Sequence, residues 1–367
     1  MTELSPSKRT WKIFKRNKLA VAGLALIALM LIVAVLGYLI MPDSTPLANN
    51  MTIQLSIKKP GSSFTILGIR KTEPVDTANI FKKMLFGQPS FYREIPITGY
   101  RVVKDSIYVN EYIGAEDKPE KKAYKFTPPL GGRGANVIHR TYWLGTDIYG
   151  RDLLSRLILG TRVSLSVGLM SVIISMLLGV TIGAIAGYFG GWIDAALSWL
   201  MNILWSLPAL LLVIAISFAL GKGLWQIFIA VGLSMWVEVA RLVRGQVLSL
   251  KQVEYIEAAR SLGFNNARII SRHILPNIIG PILVLASSNF ASAILLEAGL
   301  SFLGFGAQPP MPTWGSMIKE HYGYIVMDSA YLAIVPGLAI MVLVYAFNLV
   351  TMGLRDAFDI KSQSTRF

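Results

Sequence analysis

Long apolar runs recur along this chain, several of them flanked by basic stretches, and one mixed region interrupts them. The first run follows Lys8, Arg9, Lys12, Lys15, Arg16 and Lys18 and reaches Ile40. It is long enough to cross a bilayer and too long for a signal-peptide core, and no small-x-small cleavage site precedes Pro42. The pattern predicts an uncleaved first span over residues 19–41, after a cytoplasmic tail over residues 1–18. Five more spans are expected within residues 143–355: Val163 to Tyr188, Ile193 to Ala219 with a kink at Pro208, Leu224 to Val243, Ile278 to Leu300, and Tyr331 to Leu354. Arg355, Lys361 and Arg366 place the closing tail, residues 356–367, on the cytoplasmic side with the N-terminus. The expectation is an all-α polytopic membrane protein of six helices.

Residues 42–142 have the composition of a soluble domain. Asp76 or Thr77 is expected to cap a short helix with an apolar side of Ile80, Phe81, Met84 and Leu85. Alternation predicts strands over Thr52–Ile57 and Arg101–Tyr112, with a turn at Lys104–Ser106. Pro128–Pro129 and Gly131–Gly134 form the exit linker. Long loops cross membranes largely regardless of charge, so this lysine-rich insertion is expected outside, as a small α+β domain or as a poorly ordered loop.

Composition agrees with a membrane protein: 53% of residues are hydrophobic, 15% are charged and mean hydropathy is +0.54. Much of the basicity behind the net charge of +14 flanks apolar spans and reads as a topology signal, not as a nucleic-acid surface. With no cysteine there is no disulfide, thiolate metal site or cysteine nucleophile. His139, His273 and His321 lie far apart without ligand spacing, so neither a metal nor a catalytic site is expected. The turn at Gly221-Lys222-Gly223 is not a phosphate loop: no glycine stands five residues before Gly221, and no Ser or Thr follows Lys222.

Three stretches carry more than hydropathy. In Leu144 to Leu165, an apolar stripe of Leu153, Leu154, Leu157 and Ile158 faces polar Arg151, Asp152, Arg156 and Arg162, which predicts a half-buried helix on the outer membrane surface. Gly179, Gly183 and Gly187 recur every fourth residue, so a neighbouring helix is expected to approach closely there. The third stretch is a basic loop over residues 244–277. Its Val253, Ile256, Ala259 and Leu262 recur at helical spacing before Gly263 stops the helix, and Pro276 marks the return to the membrane. Taken alone, this loop either sets topology or docks on another protein.

The order Glu257-Ala258-Ala259, then Gly263, then His273-x-Leu-Pro276 resembles the EAA loop of bacterial ATP-binding-cassette importer permeases. LGTDIYGRDLLSR (Leu144 to Arg156), EAGLSFLGFGAQPPMPTWG (Glu297 to Gly315) and PGLAI with GLRDAFD (Pro336 to Asp359) resemble the C-type subunit of dipeptide, oligopeptide and nickel permeases. The resemblance implies the type I importer fold and a site in the bacterial inner membrane. It implies as partners a second permease, two ABC ATPases that hold the ATP and magnesium, and an extracytoplasmic binding protein. Glu257, Ala258, Ala259, Arg260, Leu262, Gly263, His273 and Pro276 would couple to the ATPases, with Ala258 and Ala259 in close contact. The pathway residues stay unassigned. Two departures stand out: the long insertion, and Trp199 and Asn202 where relatives often carry Arg and Asp.

The competing reading is an ion-coupled secondary transporter or channel, which needs ionisable groups at membrane depth facing a cavity. Asp194, Glu238 and Glu297 are the candidates, and by counting each falls near a span end.

Overall fold

A computed structural model describes residues 6–103, 106–114, 118–125, 135–221 and 223–358. The expected turn at Lys104–Ser106 falls partly outside these residues. The linker at Pro128–Gly134, Lys222 and the tail beyond residue 358 lie wholly outside them. The chain divides into two compact units: Met1–Leu31 with Ser164–Gln308 and Gly337–Phe367, and Ile32–Val163 with Pro309–Pro336.

The apolar runs form helices α2 (Lys18–Ile40), α4 (Leu153–Phe189), α7 (Leu224–Leu250), α10 (Ile279–Leu303) and α12 (Tyr331–Phe358), each long and apolar enough to span a membrane. α5 (Gly191–Trp205) and α6 (Ala209–Leu220) are long and apolar enough to cross only when taken together, and they meet at 95°. The expected kink at Pro208 is a sharp corner. Pro208 has no N–H to continue a helix, and it caps α6 in an extended conformation. Before α2 comes a helix not foreseen, α1 (Pro6–Arg16), whose Phe14 is buried beside Gly353 and Ala20. Asn17 separates the two, and its Oδ1 accepts from the Ala20 N–H at 3.1 Å.

The insertion is α+β, but its parts differ from the expectation. Five antiparallel strands, β1 (Ser62–Arg70), β2 (Tyr92–Val103), β3 (Ser106–Glu111), β4 (Glu120–Lys125) and β5 (Ala135–Tyr142), lie in the order β4-β3-β2-β1-β5. Successive residues of β1 point to opposite faces. Leu67 packs with Ile95, Ile97, Ile107 and Val109, while Ile66 packs with Leu55 and Tyr142. Arg140 of β5 forks onto Glu94 of β2 at 2.6 and 2.7 Å across the intervening β1. Thr52–Ile57 is not a strand; it holds a short 3-10 turn at Ile53–Leu55 that buries Leu55. The short helix α3 (Ile80–Phe86) begins one turn later than expected, capped by Asn79, whose Oδ1 accepts from the Lys82 N–H at 2.9 Å. It contributes no buried residue to the domain.

Residues 144–165 do not form a separate interfacial helix. Leu144–Asp152 is a turn, and from Leu153 the chain enters α4, which continues unbroken to Phe189.

Candidate functional site

The basic loop builds a short helix, α8 (Glu254–Ser261), with a two-sided surface. Ile256 and Ala259 point inward. They join Val243 and Val247 of α7, Ala184 and Tyr188 of α4, and Ile269 and Ile274 of the returning segment in one apolar cluster. Val253, Tyr255, Glu257, Ala258, Arg260 and Leu262 are exposed, and Leu262 is 73% exposed. Ala258 and Ala259 are thus divided between the two sides. Neighbours in sequence sit 100° apart on a helix, so both cannot face one partner squarely, and Ala259 belongs to the chain's own core.

Gly263 ends α8 with φ +76°, in the left-handed region where a Cβ is unfavourable. Its N–H donates to the Arg260 carbonyl at 2.9 Å, and the Phe264 N–H reaches the Ala259 carbonyl at 3.2 Å, which together make a Schellman stop. Asn265 then caps the short helix α9 (Asn266–Arg268), accepting from the Arg268 N–H at 2.8 Å. Phe264 meets two side chains: the His273 ring stacks on it at 5.8 Å, and the Arg268 guanidinium lies 4.2 Å from its centroid. Tyr188 donates to Asn266 Oδ1 at 2.9 Å. Pro276 sits in a 3-10 turn, Leu275–Ile278, that feeds directly into α10. All eight loop residues singled out from sequence therefore lie on or around one small body, with only part of it facing outward.

Gly179, Gly183 and Gly187 of α4 lie against α7. A Cβ at Gly183 would come within 2.4 Å of the Ala240 carbonyl oxygen, and one at Gly179 within 2.4 Å of Val239 Cβ. At Gly187 the nearest atom is the Arg244 oxygen at 2.8 Å. Beside this seam Arg244 of α7 forks onto Asp194 of α5 at 2.5 and 2.7 Å. Asn202 accepts from Arg241 at 2.6 Å, and Trp199 is exposed.

One of the three acidic residues, Glu238, does not sit at a span end. α7 continues to Leu250, beyond the expected end, which moves Glu238 to mid-helix. Its exposed carboxylate lines a cleft of about 450 Å³ with Trp205, Leu212, Ser234, Ser292 and Leu296. Glu297 is fully buried in α10 and accepts from Ser301 at 2.7 Å.

The Leu144 motif is the other concentration of chemistry, and here the polar side is the buried one. Asp147 takes the N–H groups of Tyr149 and Arg151 at 2.9 Å and the Arg151 Nε at 2.5 Å. Arg151 also reaches Glu320 at 3.0 Å, while Arg156 stands 3.5 Å from Asp147 and 3.6 Å from Glu320. Glu320 and His321 come from α11 (Trp314–His321), which opens with a reciprocal Thr313–Ser316 capping box. Trp314 donates to the Leu157 carbonyl at 3.0 Å and fills the space over Gly160. Asp147, Glu320 and His321 bring ligand atoms within 4.8 Å of one another, a grouping that histidine spacing alone does not reveal. Two guanidinium groups already balance both carboxylates, so the arrangement has the charge of a closed ion lock and no surplus for a cation.

Comparison with known proteins matches this architecture to a family. Residues 179–362 match the model described as binding-protein-dependent transport system inner membrane component, and residues 5–56 match the N-terminal TM domain of oligopeptide transport permease C. The chain belongs to this family of transport permeases. Its relatives include the glutathione transport system permease protein GsiD of Pectobacterium atrosepticum, 46% identical over 61% of this chain and 74% of the relative. The dipeptide transport system permease protein DppC of Alkalihalophilus pseudofirmus is 44% identical over 61% of this chain and 73% of its own. Among solved structures, a chain of the inward-facing MetNI methionine ABC transporter aligns with 19% identity and a TM-score of 0.46, over 56% of this chain and 98% of that one. Like its relatives, this permease is a multi-pass membrane subunit.

Proposed function

We propose that the chain pairs with a second permease to form the transmembrane pathway of an ATP-driven importer for a di- or oligopeptide or similar small solute. An extracytoplasmic binding protein delivers the solute, and ATP with its magnesium is held and split on two separate ATPase subunits. The observation that carries the coupling step is the two-sidedness of α8: Leu262, Ala258 and Tyr255 are exposed, while Ile256 and Ala259 are keyed into α4 and α7. An ATPase that pulls on the exposed side moves the keyed side with it, because a packed core transmits displacement. The glycine seam between α4 and α7 then carries the movement along the spans as one body.

Leu262→Glu combined with Ala258→Arg tests this. Membrane yield should stay normal, while the ATPase subunits are lost on purification or no longer respond to loaded binding protein. Wild-type transport by an intact complex would reduce the loop to a topology signal. Orientation follows the basic flanks, with both termini and α8 cytoplasmic. A cysteine replacing Arg268 should react with an impermeant reagent only in inverted vesicles, and reaction in intact cells would reverse the topology.

A further inference from the structure

The helix α3 leaves its apolar side uncovered: Ile80 is 71% exposed, Phe81 72%, Leu85 55% and Phe86 67%. A seven-residue helix is marginal in water, and four large exposed apolar side chains add no stability there. Yet α3 is firmly capped at both ends. Asn79 closes the first turn, the Gly87 N–H closes the last turn on the Lys83 carbonyl at 2.9 Å, and Arg162 takes the Met84 and Leu85 carbonyls at 2.9 Å each.

Arg162 also fixes the level of the helix. The same guanidinium donates to the carbonyls of Ala34 at 2.7 Å and Val35 at 3.0 Å in α2. Ala34 lies six residues before Ile40, where α2 ends, so the C-terminal turn of α3 sits about 9 Å inside the end of that apolar span. Gly87 reinforces the placement, since a Cβ there would collide with the Ser44 oxygen and the Tyr38 ring. The neighbouring surface of α2 is apolar and exposed as well, at Val35, Leu36, Leu39 and Ile40.

We propose that α3 is an interfacial membrane element, lying in the headgroup–acyl boundary of the leaflet on the insertion domain's side. Helices that lie in a membrane surface sink their apolar face about 5–10 Å into that boundary, which is the depth that Arg162 enforces. Where the helix end meets acyl chains its carbonyls lose water as a partner, and Arg162 donates to two of them, Met84 and Leu85. Exposed Lys82 provides the cation for a lipid phosphate. The insertion domain is thereby pinned to the bilayer close to its hinge with α2. The inference requires only that α2 spans the membrane, and it stands or falls independently of the transport reading.

The absence of native cysteine allows single nitroxide labels on the full-length chain in vesicles of phosphatidylethanolamine and phosphatidylglycerol. Labels at Phe81 and, in a second variant, Leu85 are compared with one at Leu36 on α2 and one at Val102, exposed on β2. Collisions with oxygen should exceed those with a water-soluble nickel chelate several-fold at positions 81 and 85, as at 36, with the opposite ratio at 102. A ratio at 81 and 85 matching that at 102 overturns the proposal. Low collision rates with both reagents would mean that protein covers α3, and would overturn it equally.

Discussion

EYIEAARSLG, Glu254 to Gly263, and LGTDIYGRDLLSR, Leu144 to Arg156, are alike on paper: short, glycine-bearing and charged, each beside an apolar run. The fold treats them in opposite ways. In the first, Glu254, Glu257 and Arg260 face outward while Ile256 and Ala259 are buried. In the second, Asp147, Arg151, Asp152 and Arg156 are all at most 4% exposed, closed over by Glu320 from α11. A charged residue beside a membrane span thus belongs to an outward face in one place and to an internal lock in the other. What separates them is the partner. The lock needs a counter-charge 169 residues away in sequence, while the helix buries only apolar residues, Ile256 and Ala259, and leaves its charges outside.

The sharpest way to break the contrast is Arg151→Ala. It strands Asp147 and Glu320 against a guanidinium that stands 3.5 Å or more from either. Removing one partner of a buried ion pair costs about 3–5 kcal/mol, so the full-length chain should accumulate poorly and melt far below wild type in detergent. Arg260→Ala, at an exposed position, should stay within about 0.5 kcal/mol. Similar losses from the two variants would erase the distinction between lock and surface.

The glycines give a second, smaller separation. Gly150 and Gly263 both have positive φ, at +71° and +76°. A Cβ at Gly150 would stand 1.8 Å from the Thr52 carbonyl oxygen, whereas nothing lies within 4 Å of one at Gly263. Gly263→Ala should therefore cost only the left-handed backbone strain, about 1–2 kcal/mol, and Gly150→Ala clearly more, because backbone must move. Equal shifts in melting temperature would show that the turn around Gly150 yields freely.

How much of this was legible beforehand follows the same division. Hydropathy reads the spans because a bilayer demands continuous apolar helix, and a four-residue glycine period reads the α4–α7 seam because only small residues permit that approach. The periodicity of Val253, Ile256, Ala259 and Leu262 makes the helix legible, but only Ile256 and Ala259 of that stripe are buried, while Val253 and Leu262 are exposed. Which of Ala258 and Ala259 faces the core is not legible, since rotation depends on Val243, Val247 and Ile274 from other segments. The lock reads in sequence as an amphipathic surface helix because one of its two carboxylates, Glu320, is remote, and nothing local shows that the pair is buried. The apolar side of α3 is legible as a face but its exposure is not, because helical spacing shows that a face exists, not what covers it. The corner at Pro208 looked like a kink, since a proline in sequence does not specify an angle.

The smallest expected effect is a pH dependence centred on His321, beside the lock. His321 is fully buried, and its Nδ1 lies 2.7 Å from the Met317 carbonyl, which makes that nitrogen the protonated one of a neutral ring. Burial holds its pKa below the ordinary 6.5; Met317, Asp147 and Glu320 pull it up, and Arg156 pushes it down. With the folded value depressed, the unfolded chain binds more protons as pH drops below about 6.5, so this group's contribution is complete above that point and declines in acid. Each full unit of depression is worth about 1.4 kcal/mol. Asp152, whose carboxyl is raised by burial, acts in the opposite direction at lower pH, so the two must be separated by substitution. His321→Asn preserves a donor toward Met317 and removes the titration. Its melting temperature should change less than that of wild type between pH 7 and pH 5.5, and parallel curves for the two proteins would show that His321 takes up its proton as readily folded as unfolded.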